Sequence, residues 1–317
     1  MLTPRDEALQ RYFYFLQERM SIFRHRYHGD PAPYTDDPIF LAHKFTNVYR
    51  VLDRVSQYLI KHVIYNASLS GEPLDILLRI VIFKIFNTVP TREFLQRECG
   101  DITIQRFDPI KLSALLTTRK KTDTLFNGAY IMTGSHGEYD AYQYKHEKWL
   151  HMVDRELIRG WKLQQISAAQ SLQEVFTIFA SCPLIGPFLA YQYAIDCNYS
   201  DVINFDENSF VVAGIGAKRW IEKCFSDRDW HTYEDCIRWI HDHFTELQQQ
   251  YGYTDFQPLG NRAPTLIDLQ NCFCETDKYL RAKMPSLNLG NTRIKQKFHE
   301  HSDKITYFFP PKWHAGL

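Results

Sequence analysis

Two stretches of the chain set guanidinium, amide, carboxylate and ammonium groups at helical spacing. Asn47, Arg50 and Arg54 recur at intervals of three and four, which on a helix puts them on one face while Val48, Leu52, Val55 and Leu59 form another. A guanidinium fork of this kind suits a phosphate, pyrophosphate or carboxylate. With Asp53, the same arginines also fit a structural salt-bridge network. Asp268, Asn271, Glu275 and Lys278 follow at three, four and three residues and make one polar stripe. Such a stripe can line a cleft and move protons, because neighbours and partial burial separate the pKa values of its members. It can equally be a solvated face; its flanks, Leu269, Cys272, Phe273 and Leu280, favour an interior groove.

A third group lies between Cys182 and Trp220. Leu184-Ile185-Gly186 reads as a tight turn between two helices, with Gly186 free to take a positive φ and let a phosphate approach the backbone. Asp206 follows twenty residues after Gly186, beside Glu207, and Lys218-Arg219 come after Gly214 and Gly216. Glycines allow close backbone approach and a basic pair suits phosphate. Asp206 is also placed to N-cap a helix carrying Phe210 and Val211.

The elements that must position these groups read as helices. Residues 6–28 form an amphipathic helix ending near Gly29, and Pro31 to Pro38 form an extended connector, since prolines exclude helix there. From Ile39 to Tyr65 the recurrence of Phe45, Val48, Tyr49, Leu52, Val55, Leu59 and Val63 predicts one long helix. Residues 73–87 are apolar nearly all round and predict a central buried helix, whereas Ile102-Thr103-Ile104 predicts a short strand or extended edge. Thr133 to Gly137 reads as a loop, 229–251 as an amphipathic helix, and Leu266–Arg281 as the helix of the polar stripe. The whole is a mainly α chain of two helical lobes: 1–160, a hairpin lobe over 161–281, and a basic, aromatic tail over 282–317 packing back on the body.

With 317 residues, 44% hydrophobic and 15% aromatic, the chain can bury a large core. Its 37 basic and 37 acidic side chains balance, so any hold on nucleic acid rests on local clusters. No stretch approaches the ~20 apolar residues of a membrane span, and the opening MLTPRDEALQRYF lacks the order of a signal peptide. An intracellular, cytoplasmic location and no membrane partner are expected. Seven cysteines without a CxxC argue against a disulfide framework or zinc ribbon. His241 and His243, two apart, point about 200° apart on a helix, so no metal is expected.

In order and spacing, the hairpin with Asp206 resembles helix-hairpin-helix DNA glycosylases. That resemblance implies a hairpin gripping the duplex backbone and an aspartate serving a flipped nucleotide. The lysine of the lyase-type members falls here on Phe188, so Schiff-base chemistry is not expected there. A wider resemblance runs through Phe45-Thr46-Asn47-Val48-Tyr49-Arg50, Asp53 to Leu59, the hairpin, Leu266 to Asn271, Phe273-Cys274-Glu275, Asp277-Lys278-Tyr279, Arg293-Ile294-Lys295-Gln296 and Phe308 to Trp313. Together these strings resemble the helical family named for the 5-hydroxymethyldeoxyuridine DNA kinase helical domain, close to the alpha-glutamyl/putrescinyl thymine pyrophosphorylases. The family's Gly-Pro-Gly-Ala pattern is replaced here by Gly214-Ile215-Gly216-Ala217. GxxxxGK[ST] occurs nowhere in the chain, so no phosphate loop for ATP is present.

The resemblance implies an amino acid:DNA transferase of thymidine hypermodification. It would replace pyrophosphate on 5-(pyrophosphoryloxymethyl)uracil in DNA with a free amino acid or amine and need no cofactor. The base would be flipped out of double-stranded DNA into a groove between lobes. Asp206, Glu275 or Asp268 would take the proton of the amine, and Arg50 and Lys278 would hold the pyrophosphate. Asn47, Arg54, Glu207 and Tyr279 complete the expected substrate site, and Gly186, Pro187, Lys218, Arg219, Arg293 and Lys295 the expected DNA contacts. Two further classes fit the same residues: a glycosylase for a modified pyrimidine, with Asp206 stabilising the oxocarbenium ion, and a non-catalytic DNA-binding partner of a phosphate-loop DNA base kinase.

Overall fold

A computed structural model describes residues 2–128, 132, 134–294, 296–299 and 305–314. The chain is mainly helical, and the described residues include one two-stranded antiparallel sheet, Thr3–Pro4 with Phe225–Asp227. Contacts divide it into two compact units of non-contiguous sequence. One holds residues up to Asp53 together with Phe210–Tyr307, the other Arg54–Ser209 with Phe308–Trp313. The division therefore falls at 53/54 and 209/210, whereas the sequence suggests 160.

The first unit is built on Asp6–His28, Ile215–Cys224 and Leu266–Lys283. The first helix runs as its periodicity predicts, burying Leu9, Tyr12, Phe13, Leu16, Met20 and Phe23, and stops where Gly29 takes φ 82° and bonds back to His25 and Arg26. Its Tyr12 ring packs against Trp220 and Phe273, which stack at 4.0 Å and 6°. Leu266–Lys283 starts in a capping box of Thr265 and Asp268. It is pinned to Ile215–Cys224 by a buried ion pair, Lys223 Nζ to Asp277 Oδ1 at 2.7 Å. Gly216 lets those two helices meet: a Cβ there would lie 2.9 Å from Cys274 Sγ and 3.1 Å from Cys274 Cα.

Three sequence expectations are corrected in this unit. Ile39–Tyr65 is not one helix. Pro38–Ala42 is a short helix, residues 43–49 are irregular, Arg50–Leu52 is a 3-10 turn, and helix resumes only at Arg54. The amides of Thr46, Asn47 and Arg50 donate to side-chain carboxylates instead of carbonyls four residues back. Asn47, Arg50 and Arg54 accordingly do not share a helix face. Residues 229–251 form two helices, Tyr233–Asp242 and Phe244–Tyr251, broken at His243, whose Nδ1 meets the Trp239 carbonyl. The close approach at Gly216 serves helix packing inside the protein.

In the second unit Pro73–Phe86 is the predicted buried helix, with Leu77 to Phe86 inside. Its Lys84 meets the fully buried Asp196 at 3.0 Å, joining it to Pro187–Cys197. Leu172–Ala180 packs on Pro187–Cys197 across the turn read as a hairpin. In that turn Leu184, not Gly186, carries the positive φ, 70°; Gly186 has φ −76° and caps the second helix. No strand forms at Ile102–Ile104. Asp75 takes the Ile104 amide at 2.7 Å and starts a 3-10 turn over Ile104–Arg106. Of the loop expected at Thr133 to Gly137, Thr133 lies outside the described residues and 134–136 are irregular. Phe308–Trp313 packs into this unit, with Lys312 Nζ donating to the Ser200 and Ile203 carbonyls at 2.7 and 2.8 Å.

The two glycines give opposite forecasts. Gly216→Ala must push a pair of packed helices away from each other and is expected to lower stability by about 1–3 kcal/mol in urea unfolding. Gly186→Ala, with nothing within 4 Å of the added carbon, should stay within ~0.5 kcal/mol of wild type. Equal stabilities for the two variants would contradict the packing role of Gly216.

Candidate functional site

The irregular segment before Asp53 gathers most of the predicted chemistry of the first unit. Thr46 N–H donates to Glu275 Oε2, Asn47 N–H to Asp53 Oδ1 and Arg50 N–H to Asp268 Oδ1, each at 2.9 Å. Asn47 Nδ2 also donates to Asp53 Oδ1 at 3.1 Å and to the Leu52 carbonyl at 3.0 Å. Arg19, from the first helix, reaches in and donates Nε–H to the Thr46 carbonyl at 3.0 Å. Two polar atoms here are buried without a protein partner, Arg19 Nη1 and Asn47 Oδ1. One is a donor and the other an acceptor.

Asp53 is the group whose chemistry this setting changes most usefully. Burial pushes its carboxyl up to about 6, against the Asn47 N–H and the guanidinium groups of Arg19 and Arg50, which favour the anion. Burial likewise lowers the Arg19 pKa, and Asp53 is the main charge opposing that. A carboxyl that titrates near neutrality can exchange a proton at working pH. Asp53 is absent from the residues that the sequence marks for chemistry. Its only sequence signal is a possible salt bridge with Arg50 and Arg54, because the desolvation that matters comes from distant chain.

Two of the predicted carboxylates, Asp268 and Glu275, bind backbone amides of the same segment. Asp268, buried, accepts from Arg50 N–H on one oxygen and from Thr265 N–H and Oγ–H on the other. Burial raises its pKa. Glu275 Oε2 takes Thr46 N–H and the Lys278 ammonium at 2.8 Å, and Lys278 also donates to the Lys44 carbonyl. Asn47, Arg50, Asp268, Glu275 and Lys278 therefore meet in one network. Tyr279 is buried and donates to Asp37 Oδ2, which also accepts from Tyr14. Lys218 and Arg293 are exposed in this unit, Arg219 is partly buried, and Lys295 lies outside the described residues.

Arg54, Gly186, Pro187, Asp206 and Glu207 belong to the second unit. Gly186 and Pro187 are exposed at the helix start, as a surface role requires, with Phe188 44% exposed beside them. Asp206 is exposed and caps no helix; its Oδ1 accepts the Asn208 amide at 2.9 Å in a local turn. Glu207 is buried. Among the described residues no group of three His, Cys, Asp or Glu side chains is arranged to hold a metal, and no helix is long and apolar enough to cross a membrane.

A proton held on Asp53 in the native state at a higher pKa than in the unfolded chain stabilises the fold below about pH 4 and is lost as pH rises through about 6. Wild type should therefore lose up to about 3 kcal/mol more than Asp53→Asn between pH 4 and pH 7 in urea unfolding. Parallel pH profiles would contradict the shift.

The family model described as "5-hmdU DNA kinase, helical domain" matches residues 6–289. A "5-hmdU DNA kinase" of Bacillus phage SP10 is 25% identical over 315 residues, covering 94% of this chain and 49% of that protein. The chain thus spans about half the length of that relative. No solved structure matches. The match over residues 6–289 makes this chain a member of the 5-hmdU DNA kinase helical-domain family.

Proposed function

We propose that the chain acts in hypermodification of thymine in DNA, as a transferase that replaces pyrophosphate on 5-(pyrophosphoryloxymethyl)uracil with an amino acid or amine. The family's tie to a 5-hmdU DNA kinase sets the pathway, because a kinase acting on the hydroxymethyl group installs a phosphate that a later step can displace. The observation that carries the reading is Asp53, a carboxyl raised to about 6 beside Arg19 and Arg50. That pairing joins a proton acceptor to anion-binding groups.

In the proposed step the amine nitrogen attacks the methylene carbon on C5. The C–N bond forms while the C–O bond breaks, and pyrophosphate leaves with the electron pair. The proton shed by nitrogen passes to Asp53. Arg19, with Nη1 unfilled, and Arg50 stabilise the departing anion. Asn47 Oδ1 is free to accept the N3–H of an everted uracil. Asp268, Glu275 and Lys278 act by holding residues 44–50 in place. In the first unit Lys218, Arg219 and Arg293 are assigned to the DNA backbone, and in the second, separately, the exposed helix start at Gly186-Pro187.

The test is incubation of DNA carrying the pyrophosphorylated base with single amino acids and amines, followed by nucleoside mass spectrometry and assay of pyrophosphate. A heavier nucleoside with equimolar pyrophosphate is expected. Asp53→Asn should cut turnover by about 100-fold or more, and wild-type kcat should fall as pH drops through about 6, where Asp53 takes up its proton. Free base with abasic sites would overturn the transferase in favour of a glycosylase. DNA binding without any change in the base would overturn it in favour of a recognition partner for a kinase.

A further inference from the structure

Trp230, 76% exposed, is the most exposed large apolar side chain among the described residues. Indole rings are ordinarily well buried, and this one is held outside by the turn that carries it. Asp229 takes φ 51°, a left-handed conformation that aspartate tolerates, and donates its amide to Asp227 Oδ1 at 2.7 Å. Arg228 closes the turn. Its carbonyl accepts the His231 N–H, and its guanidinium donates to the His231 carbonyl and to Glu222 Oε1, each at 2.9 Å. The Trp230 ring lies flat on the His231 ring, with 4.1 Å between centroids and 18° between planes. Imidazole thus backs one face of the indole, and the opposite face is left to solvent.

This turn stands beside cations of the Ile215–Cys224 helix. Tyr233 connects them: the Arg228 guanidinium lies over its ring at 4.2 Å and the Lys218 ammonium at 5.3 Å, and its hydroxyl donates to Glu222 Oε1 at 2.8 Å. Glu222 is therefore taken up by Arg228 and Tyr233. Among the described residues neither Lys218 nor Arg219 has a carboxylate partner. Asp227 and Asp229, both exposed, sit in the turn itself and repel a phosphate from it. The indole is thus set to meet an uncharged planar group, while an attached anion is drawn to Lys218 and Arg219. A nucleobase in a strand has both parts.

A base can lie on an indole only where its own face is uncovered, which a paired and stacked duplex does not offer. We infer that Trp230 is a stacking platform for an unpaired base of a DNA strand whose phosphates Lys218 and Arg219 hold, so that the first unit prefers single-stranded or locally opened DNA to intact duplex. The inference rests on DNA as the substrate in the function proposed above and not on the displacement step.

The test is fluorescence anisotropy of the full chain with single-stranded and duplex oligonucleotides of one unmodified sequence over a salt series. Wild type should bind the single strand about tenfold more tightly than the duplex, the factor expected of one stacked base. Trp230→Ala should weaken single-strand binding about tenfold at every salt concentration with the salt slope unchanged, and Trp230→Phe should keep most of the affinity. Lys218→Ala should instead lower the slope by about 0.7. Because the side chain is exposed, Trp230→Ala should unfold at the wild-type urea midpoint. Equal single-strand affinity of Trp230→Ala and wild type, or a wild-type preference for duplex, would overturn the inference and leave the transferase to its own mass-spectrometric assay. Weakened binding by Trp230→Ala in a protein that modifies no base would uphold the platform and overturn the transferase. Self-association of wild type that Trp230→Ala abolishes, with DNA binding unchanged, would assign the ring to a second copy of this chain and overturn the inference.

Discussion

Three carboxylates capturing three backbone amides are the constraint on which the first unit depends. Hydrogen bonds to charged groups contribute about 1.5–3 kcal/mol each, more than enough to divert residues 43–50 from the helix that their side-chain pattern favours. Two of those carboxylates, Asp268 and Glu275, come from the Leu266–Lys283 helix, so the loop is set against the rigid element that Trp220, Phe273 and the Lys223–Asp277 pair hold in place. The third, Asp53, is carried by the loop itself. The geometry that bends the chain also leaves Asp53 only partly exposed, and burial raises its proton affinity.

The same device recurs in the second unit. Asp75, Arg79 and Asp101 fix Ser70 and Ile104 as Asp268 and Glu275 fix Arg50 and Thr46. Lys84 and Asp196 form a buried pair between two helices. A chain with balanced charge therefore uses many of its ionic groups as internal ties. Removing one partner of such a tie leaves an uncompensated buried charge, which makes these positions sensitive to substitution.

Helices whose burial repeats every three to four residues were legible: Asp6–His28, Pro73–Phe86 and Leu266–Lys283 fall at or near the bounds read from periodicity. The 39–65 segment has the same period in Val48, Leu52, Val55 and Leu59, yet is broken, because its competing acceptors lie more than 200 residues away for two of the three amides. The polar stripe 268–278 was legible as one helix face, but not the capture of backbone amides by Asp268 and Glu275. The raised pKa of Asp53 was not legible, since it comes from desolvation and not from its neighbours in sequence. The hairpin helices were legible; the positive φ on Leu184 was not, because Gly186 is the residue that ordinarily takes it.

Burial makes Asp53 hold its proton up to about pH 6 while its Oδ1 accepts the Asn47 amide. The most direct measurement is a pH titration of backbone amide proton shifts by NMR. The Asn47 amide should move with a midpoint near 6 as the carboxyl that it donates to ionises. A midpoint in the ordinary carboxylate range, near 4, or no shift at Asn47 at all, would contradict the account.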